Sequence, residues 1–254
     1  MSLSLSSMGS VSSQFNFQVD QFMLKEKLKK IDAIIVEAFS VYNKFHTTSV
    51  CLPYVINFDF RKLMLSPSVQ LNSDGFIQFN VPVTLLYENS DFKALSNMFK
   101  INKLPEVSKH YSAYFLEYLK DPILSEKAKK FMLYHEVAHV FNQDILTQPD
   151  PRSIKEIEKR ADLVAAYMSG AADGAVYLFE IGKRFQLPES PTHPSVDERI
   201  AYLKKFDSDP FLLKREVSSF ILKTPRNGLD LLLLATADEK EADSNNNQND
   251  AANF

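Results

Sequence analysis

The feature that most constrains this chain is the stretch Phe131-Met132-Leu133-Tyr134-His135-Glu136-Val137-Ala138-His139-Val140, which carries an HExxH pattern. On a helix, positions i and i+4 lie one above the other on the same face. His135 and His139 can therefore offer two imidazole nitrogens to one metal ion. Glu136, beside the first histidine, can take a proton from a water that the metal activates. Either histidine alone reads as a satisfied structural residue. The pair does not, because the chain holds only 5 histidines, and the pattern arises by chance in well under about one such sequence in a hundred.

Composition narrows the rest. At 254 residues the chain is long enough for one large domain, and its net charge of -3 gives no electrostatic reason to expect nucleic acid. Cys51 is the single cysteine, so neither an intrachain disulfide nor a cysteine-based zinc site is available, which fits a reducing compartment. Residues 1–14 are serine-rich without a lysine or arginine, unlike a secretory signal. No segment reaches the roughly 18 apolar residues that a bilayer span needs. The expectation is a soluble, cytoplasmic protein: a disordered tail over 1–14, a single domain over 15–237, and an acidic, asparagine-rich disordered tail over 238–254.

Across residues 19–46, Leu24, Leu28, Ile31, Ile35, Ala38, Phe39 and Tyr42 recur at three- and four-residue steps, predicting an amphipathic helix. Its lysines (Lys25, Lys27, Lys29, Lys30) are interleaved with acids and read as a solvated face. Residues 50–86 read as strands: Ile56, Phe58 and Phe60 alternate with polar residues, as do Ile77, Phe79, Val81 and Val83 after an Asn72-Ser73-Asp74-Gly75 turn. Pro82 places the second of these at or near a sheet edge, the kind of edge that can hold an extended peptide by main-chain pairing. Short helices follow over 90–99 and 107–119, the latter with an aromatic stripe (Tyr111, Tyr114, Phe115, Tyr118) that reads as core packing. His46 and His110 read as structural or surface residues. The motif helix is expected over 126–142 with Ser125 as its N-cap. Further helices are expected over 153–168, 171–185 and 210–223.

Two histidines leave a catalytic zinc one protein ligand short. Glu158, on the helix after the 143–152 loop, is placed to be the third. Asp162, one turn along the same face, can accept from the far nitrogen of a ligand histidine and fix its tautomer. Read without the HExxH, both are surface charges beside Lys159 and Arg160. Further on, Ser195 and Glu198 form a capping box, so His193 and Pro194 lie in the loop entering a helix. His193 can donate to the oxyanion of a tetrahedral intermediate. Arg199 can bind a substrate carbonyl or hold an acidic partner in the site.

These three segments, His135-Glu136-Val137-Ala138-His139, Glu158 to Asp162, and Thr192-His193-Pro194 with Arg199, together resemble the gluzincin peptidases of the family that holds the HtpX heat-shock protease and the type-I CAAX prenyl protease. The resemblance covers about residues 72–83 and 122–205. It implies an α+β zincin fold, mainly helical, with a small sheet whose edge strand lies beside the active-site helix. It also implies one zinc ion on His135, His139 and Glu158, Glu136 as general base, and Asp162 supporting a ligand. In that family His193 and Arg199 would stabilise substrate and oxyanion. The implied activity is a zinc-dependent endopeptidase acting on protein or peptide substrates. The loop over 143–152 is too short for the membrane spans of many members, so a prenylated substrate does not carry over, and residues 84–121 look like an insertion. A regulatory protease with one dedicated partner, and a non-catalytic metal-binding module, are the alternatives.

Overall fold

A computed structural model describes residues 21–44, 53–59, 65–93, 106–146 and 153–221. His46, Cys51, Phe60, both terminal tails and most of the 90–99 segment lie outside them. Among the described residues the protein is mainly helical with one small mixed sheet, an α+β arrangement.

The first helix, α1 (Gln21–Asn43), buries Ile31, Ile35, Ala38, Phe39 and Tyr42, the stripe the periodicity predicts. Three of its lysines pair with acids: Lys27 with Asp91, Lys30 with Glu88 and Lys29 with Glu26.

Three strands follow: β1 (Tyr54–Asp59), β2 (Ser68–Leu71) and β3 (Ile77–Pro82). Their order is β1-β3-β2, with β1 parallel and β2 antiparallel to β3. The turn into β3 is built by Asn72, whose Oδ1 accepts from the backbone N–H of Asp74 at 3.0 Å and of Phe76 at 2.8 Å. Gly75, at φ 76, supplies the left-handed residue that this turn requires.

The edge expected at Pro82 is corrected here, since β3 is the central strand. Its alternate residues Ile77, Phe79 and Val81 are buried, as the pattern predicts. Proline is tolerated because Pro82 is the last residue of β3 and β2 pairs only as far as Asn80. The edge strand that packs against the motif helix is β2.

After two 3₁₀ turns (Val83–Leu86 and Asn89–Asp91) comes α2 (Glu106–Tyr118). Tyr114, Phe115 and Tyr118 of its aromatic stripe are buried in the core. The motif helix, α3 (Pro122–Phe141), starts one turn earlier than Ser125 suggests. Asp121 is its N-cap, with Oδ1 accepting from Ile123 N at 3.0 Å and Leu124 N at 2.9 Å. Pro122 stands at the first position, where a missing N–H costs nothing. Ser125 is instead buried inside the helix, and its carbonyl accepts from the Tyr118 hydroxyl at 2.7 Å.

Every residue from Phe131 to Phe141 is buried, because α3 is enclosed by α1, β2 and the two helices that follow. A helix buried all round needs no polar face, so His135, Glu136 and His139 stand out in it as polar exceptions. Those next helices are α4 (Ile154–Ser169), stopped by Gly170 at φ 62, and α5 (Ala172–Arg184). At Gly174 an added Cβ would lie 2.5 Å from the backbone of Lys127 and Ala128, so glycine is what lets α5 seat against α3. The capping box at Ser195 and Glu198 forms as read, opening α6 (Val196–Ser208), and α7 (Pro210–Ile221) closes the described chain. No helix among the described residues is long and apolar enough to cross a membrane.

Candidate metal centre

Three elements meet at the C-terminal half of α3. One turn separates His135 from His139, and their Nε2 atoms lie 3.0 Å apart. Helix α4 brings Glu158, whose Oε2 is 3.1 Å from His135 Nε2 and 3.6 Å from His139 Nε2. The loop before α6 brings His193, with Nε2 2.9 Å from the same Glu158 oxygen. His135, His139 and Glu158 form a group that could hold a metal ion.

The outer nitrogens decide what the inner ones can do. His135 Nδ1 lies 2.9 Å from Asp162 Oδ1, and His139 Nδ1 lies 3.0 Å from Asp144 Oδ2. A carboxylate only accepts, and each histidine faces one on both sides, Asp162 or Asp144 at Nδ1 and Glu158 at Nε2. A proton kept on Nδ1 leaves Nε2 a lone pair for a metal, while without a metal Nε2 can carry a proton toward Glu158. In the first of these states two lone pairs and the Glu158 oxygen, which His193 Nε2 also approaches, converge on one point. Such a set calls for a cation at its centre. Where protons alone serve, the cost shows in the titration of His139. Burial disfavours its charged form, but hydrogen bonding to Asp144 and Glu158 outweighs that and raises its pKa to about 10.

Glu158 shows the complementary effect: burial works against its charge, yet contacts from the three histidines hold it well below the usual carboxylate range. Glu136, the buried neighbour of His135, is shifted up by desolvation, which the nearby histidines only partly offset. Asp144 and Asp162 each hold an arginine; among the described residues Glu136 and Glu158 have no lysine or arginine partner. The centre thus keeps two carboxylates whose charge a divalent cation would balance.

Asp162 is the most enclosed member, 0% exposed. Arg199 forks onto it, Nε to Oδ2 at 2.8 Å and Nη2 to Oδ1 at 2.6 Å, and the Tyr202 hydroxyl donates to Oδ2. Burial pushes the Asp162 carboxyl up, but the Arg199 charge and the His135 contact hold it well below the usual range. The guanidinium also lies 4.1 Å over the Phe179 ring of α5. Of the two roles open to Arg199 in the sequence, holding an acidic partner is the one the geometry displays. Two of its nitrogens are taken by Asp162, and its side chain is 13% exposed.

The loop before α6 places His193 beside Glu158. Its Nε2 lies 2.9 Å from the Glu158 oxygen, which only accepts, so Nε2 carries a proton toward the site, and Nδ1 can accept from Thr192 Oγ1 at 3.0 Å. His110 lies away from the centre, with Nε2 2.6 Å from the Phe185 carbonyl. Three participants were missed in the sequence: Asp144, Arg160 and Tyr202. Tyr202 had a signal, since it stands one turn after Arg199 on the same helix face. Asp144 had only its closeness to the end of α3.

Compared with known proteins, the chain matches no family model, no curated protein and no solved structure.

Proposed function

We propose that the protein is a zinc-dependent endopeptidase of gluzincin type. The observation that carries this reading is the convergence of three acceptor atoms beside a buried glutamate. Four ligand atoms roughly 2.0–2.1 Å from a tetrahedral zinc lie about 3.3 Å from one another. The separations of 3.0, 3.1 and 3.6 Å among His135 Nε2, His139 Nε2 and Glu158 Oε2 bracket that edge length. Two imidazoles with one carboxylate is also a ligand set that leaves a fourth corner free for catalysis.

A zinc ion held by His135, His139 and Glu158 would supply Lewis acidity, polarising the scissile carbonyl and lowering the pKa of the attacking water. Glu136 takes the proton of that water and delivers it to the leaving amine. Its upward-shifted carboxyl suits both halves of the task. His193 donates its Nε2 proton to the oxygen on which negative charge develops. Strand β2, the edge beside α3, pairs with the extended substrate.

Elemental analysis should find one zinc per chain in wild type and none in Glu158→Gln. Glu136→Gln should retain the zinc and lose cleavage of an unfolded protein substrate. Wild-type cleavage by Glu136→Gln would remove the assigned base, and a wild-type protein that takes up no metal would remove the whole reading.

A further inference from the structure

The two motif histidines are supported by matching relays, of which the sequence motifs account for one. Arg199 holds Asp162 and Asp162 faces His135; Arg160 holds Asp144 and Asp144 faces His139. We infer that Asp144, oriented by Arg160, is a positioning residue that sets the tautomer and metal affinity of His139. The inference rests on the metal-centre reading above.

The argument starts from how the Asp144 carboxylate is divided. Oδ2 is 3.0 Å from His139 Nδ1, while Oδ1 accepts from Arg160 Nη2. Each oxygen has a separate task, so the direction of the first is fixed by the second. The Asp144 side chain is 10% exposed and that of Arg160 27%, so the pair is shielded without being sealed. Gln143, between α3 and Asp144, adopts φ 63, a left-handed conformation that a non-glycine residue rarely takes. That turn swings Asp144 back onto the helix it has just left.

Arg160 stands two residues from Glu158 on α4. The element that delivers the carboxylate ligand therefore also anchors the partner of the second histidine. Without Asp144, no other described residue holds the His139 proton on Nδ1. A proton on Nε2 points at Glu158 and His135 and blocks the lone pair a metal needs. Partners of this kind typically change metal affinity by 10- to 100-fold.

The test uses the full-length protein, stripped of metal and titrated with Co2+ and with Zn2+ against a chromophoric chelator. Asp144→Ala should weaken Zn2+ binding by about 10- to 100-fold and change the Co2+ d–d absorption. Asp144→Asn, which keeps an acceptor oxygen for Nδ1, should recover part of the loss. Arg160→Gln should show a smaller loss, and the double variant should bind no more weakly than Asp144→Ala alone. A purely structural tie would shift the melting temperature of the metal-free protein but leave the cobalt spectrum and the asparagine rescue flat. If Asp144→Ala binds Zn2+ as tightly as wild type while Glu158→Gln does not bind, the inference fails and the zinc reading stands. If wild type itself binds neither metal, both fall. Should Asp144→Ala not fold, wild-type affinity in both Asp144→Asn and Arg160→Gln overturns the inference.

Discussion

The two relays do the same job in different surroundings. On the His135 side, Asp162 is fully buried and takes three hydrogen bonds from Arg199 and Tyr202, with an aromatic ring beneath the guanidinium. On the His139 side, Asp144 takes one from Arg160 at the rim of the site. The first relay is tied into the packing of α4, α5 and α6; the second hangs on one turn after α3. A buried ion pair is costly to break from one side, because the surviving charge is left without water or partner. A pair shielded but not sealed, with Arg160 27% exposed, costs less to break, because water can reach the surviving guanidinium. The His135 relay should therefore govern folding and the His139 relay mainly metal binding.

The largest expected effect follows directly. Asp162→Ala strands Arg199 and should lower stability by about 3–5 kcal/mol, measured by urea unfolding of the metal-free protein. Asp144→Ala should cost less, about 1–3 kcal/mol, in the same experiment. Equal losses would abolish the distinction between the two sides.

Gly174→Ala probes the packing beneath the buried relay. The added Cβ meets the backbone of α3 at 2.5 Å, so α5 must move, and it carries Phe179 with it. Overpacking of this kind costs about 1–3 kcal/mol. The accompanying loss of metal affinity should be removed by no change at Asp144, since α5 reaches the site through Phe179 beneath Arg199, on the His135 side. Relief by an Asp144 variant would show the relays to be one coupled network.

How much of this was legible beforehand depends on distance along the chain. His135 and His139, or Glu158 and Asp162, share a helix face by spacing alone, so their grouping shows in the sequence. The capping box at Ser195 and Glu198 is equally local. What the sequence hid was set by partners far away. Pro82 reads as an edge signal until it is known that β2 stops at Asn80. Ser125 is a good N-cap by type, but Asp121 with Pro122 starts the helix one turn earlier, so the N–H groups that Ser125 would cap already lie inside it. The engagement of Arg199 with Asp162 rests on the docking of α6 on α4, and the placement of Asp144 rests on one unusual backbone angle at Gln143.

Acidity offers a third comparison, between metal-free and zinc-loaded protein. His139 in the metal-free protein is raised from its unfolded value near ~6.5 to about 10. A raised pKa means that the folded state holds the proton more tightly. This contribution is complete below pH ~6.5 and disappears as pH climbs through about 10. Metal-free protein should thus lose stability over that interval, whereas zinc, which displaces the proton, should abolish the slope. Because hydrogen bonding to Asp144 is part of the cause, Asp144→Ala should flatten the slope as well. Unfolding series at several pH values, with and without zinc, measure both.

Tyr202→Phe removes one donor from Asp162 and leaves the Arg199 fork in place. The expected loss is about 1.5–3 kcal/mol, the net worth of a hydrogen bond to a charged group, with zinc affinity unchanged. A tenfold drop in affinity would mean that the buried relay also tunes the metal and is not merely the scaffold.

The smallest effect concerns the turn that sets the rim relay. Gln143 occupies a position just past a helix end where glycine is usual, and its φ of 63 is strained for a residue with a Cβ. Gln143→Gly relieves that strain in the folded state but gives the unfolded chain more freedom to lose, so the two effects largely offset. The net change should be a gain of roughly 0.5 kcal/mol or less by those same two costs, with zinc affinity retained because Asp144 still faces His139. Gln143→Pro cannot adopt a positive φ and should detach Asp144, reproducing the weakened zinc binding of Asp144→Ala while leaving the His135 side intact. If the proline variant binds zinc normally, the rim relay does not depend on this turn, and His139 is held by its neighbours on α3 and α4 alone.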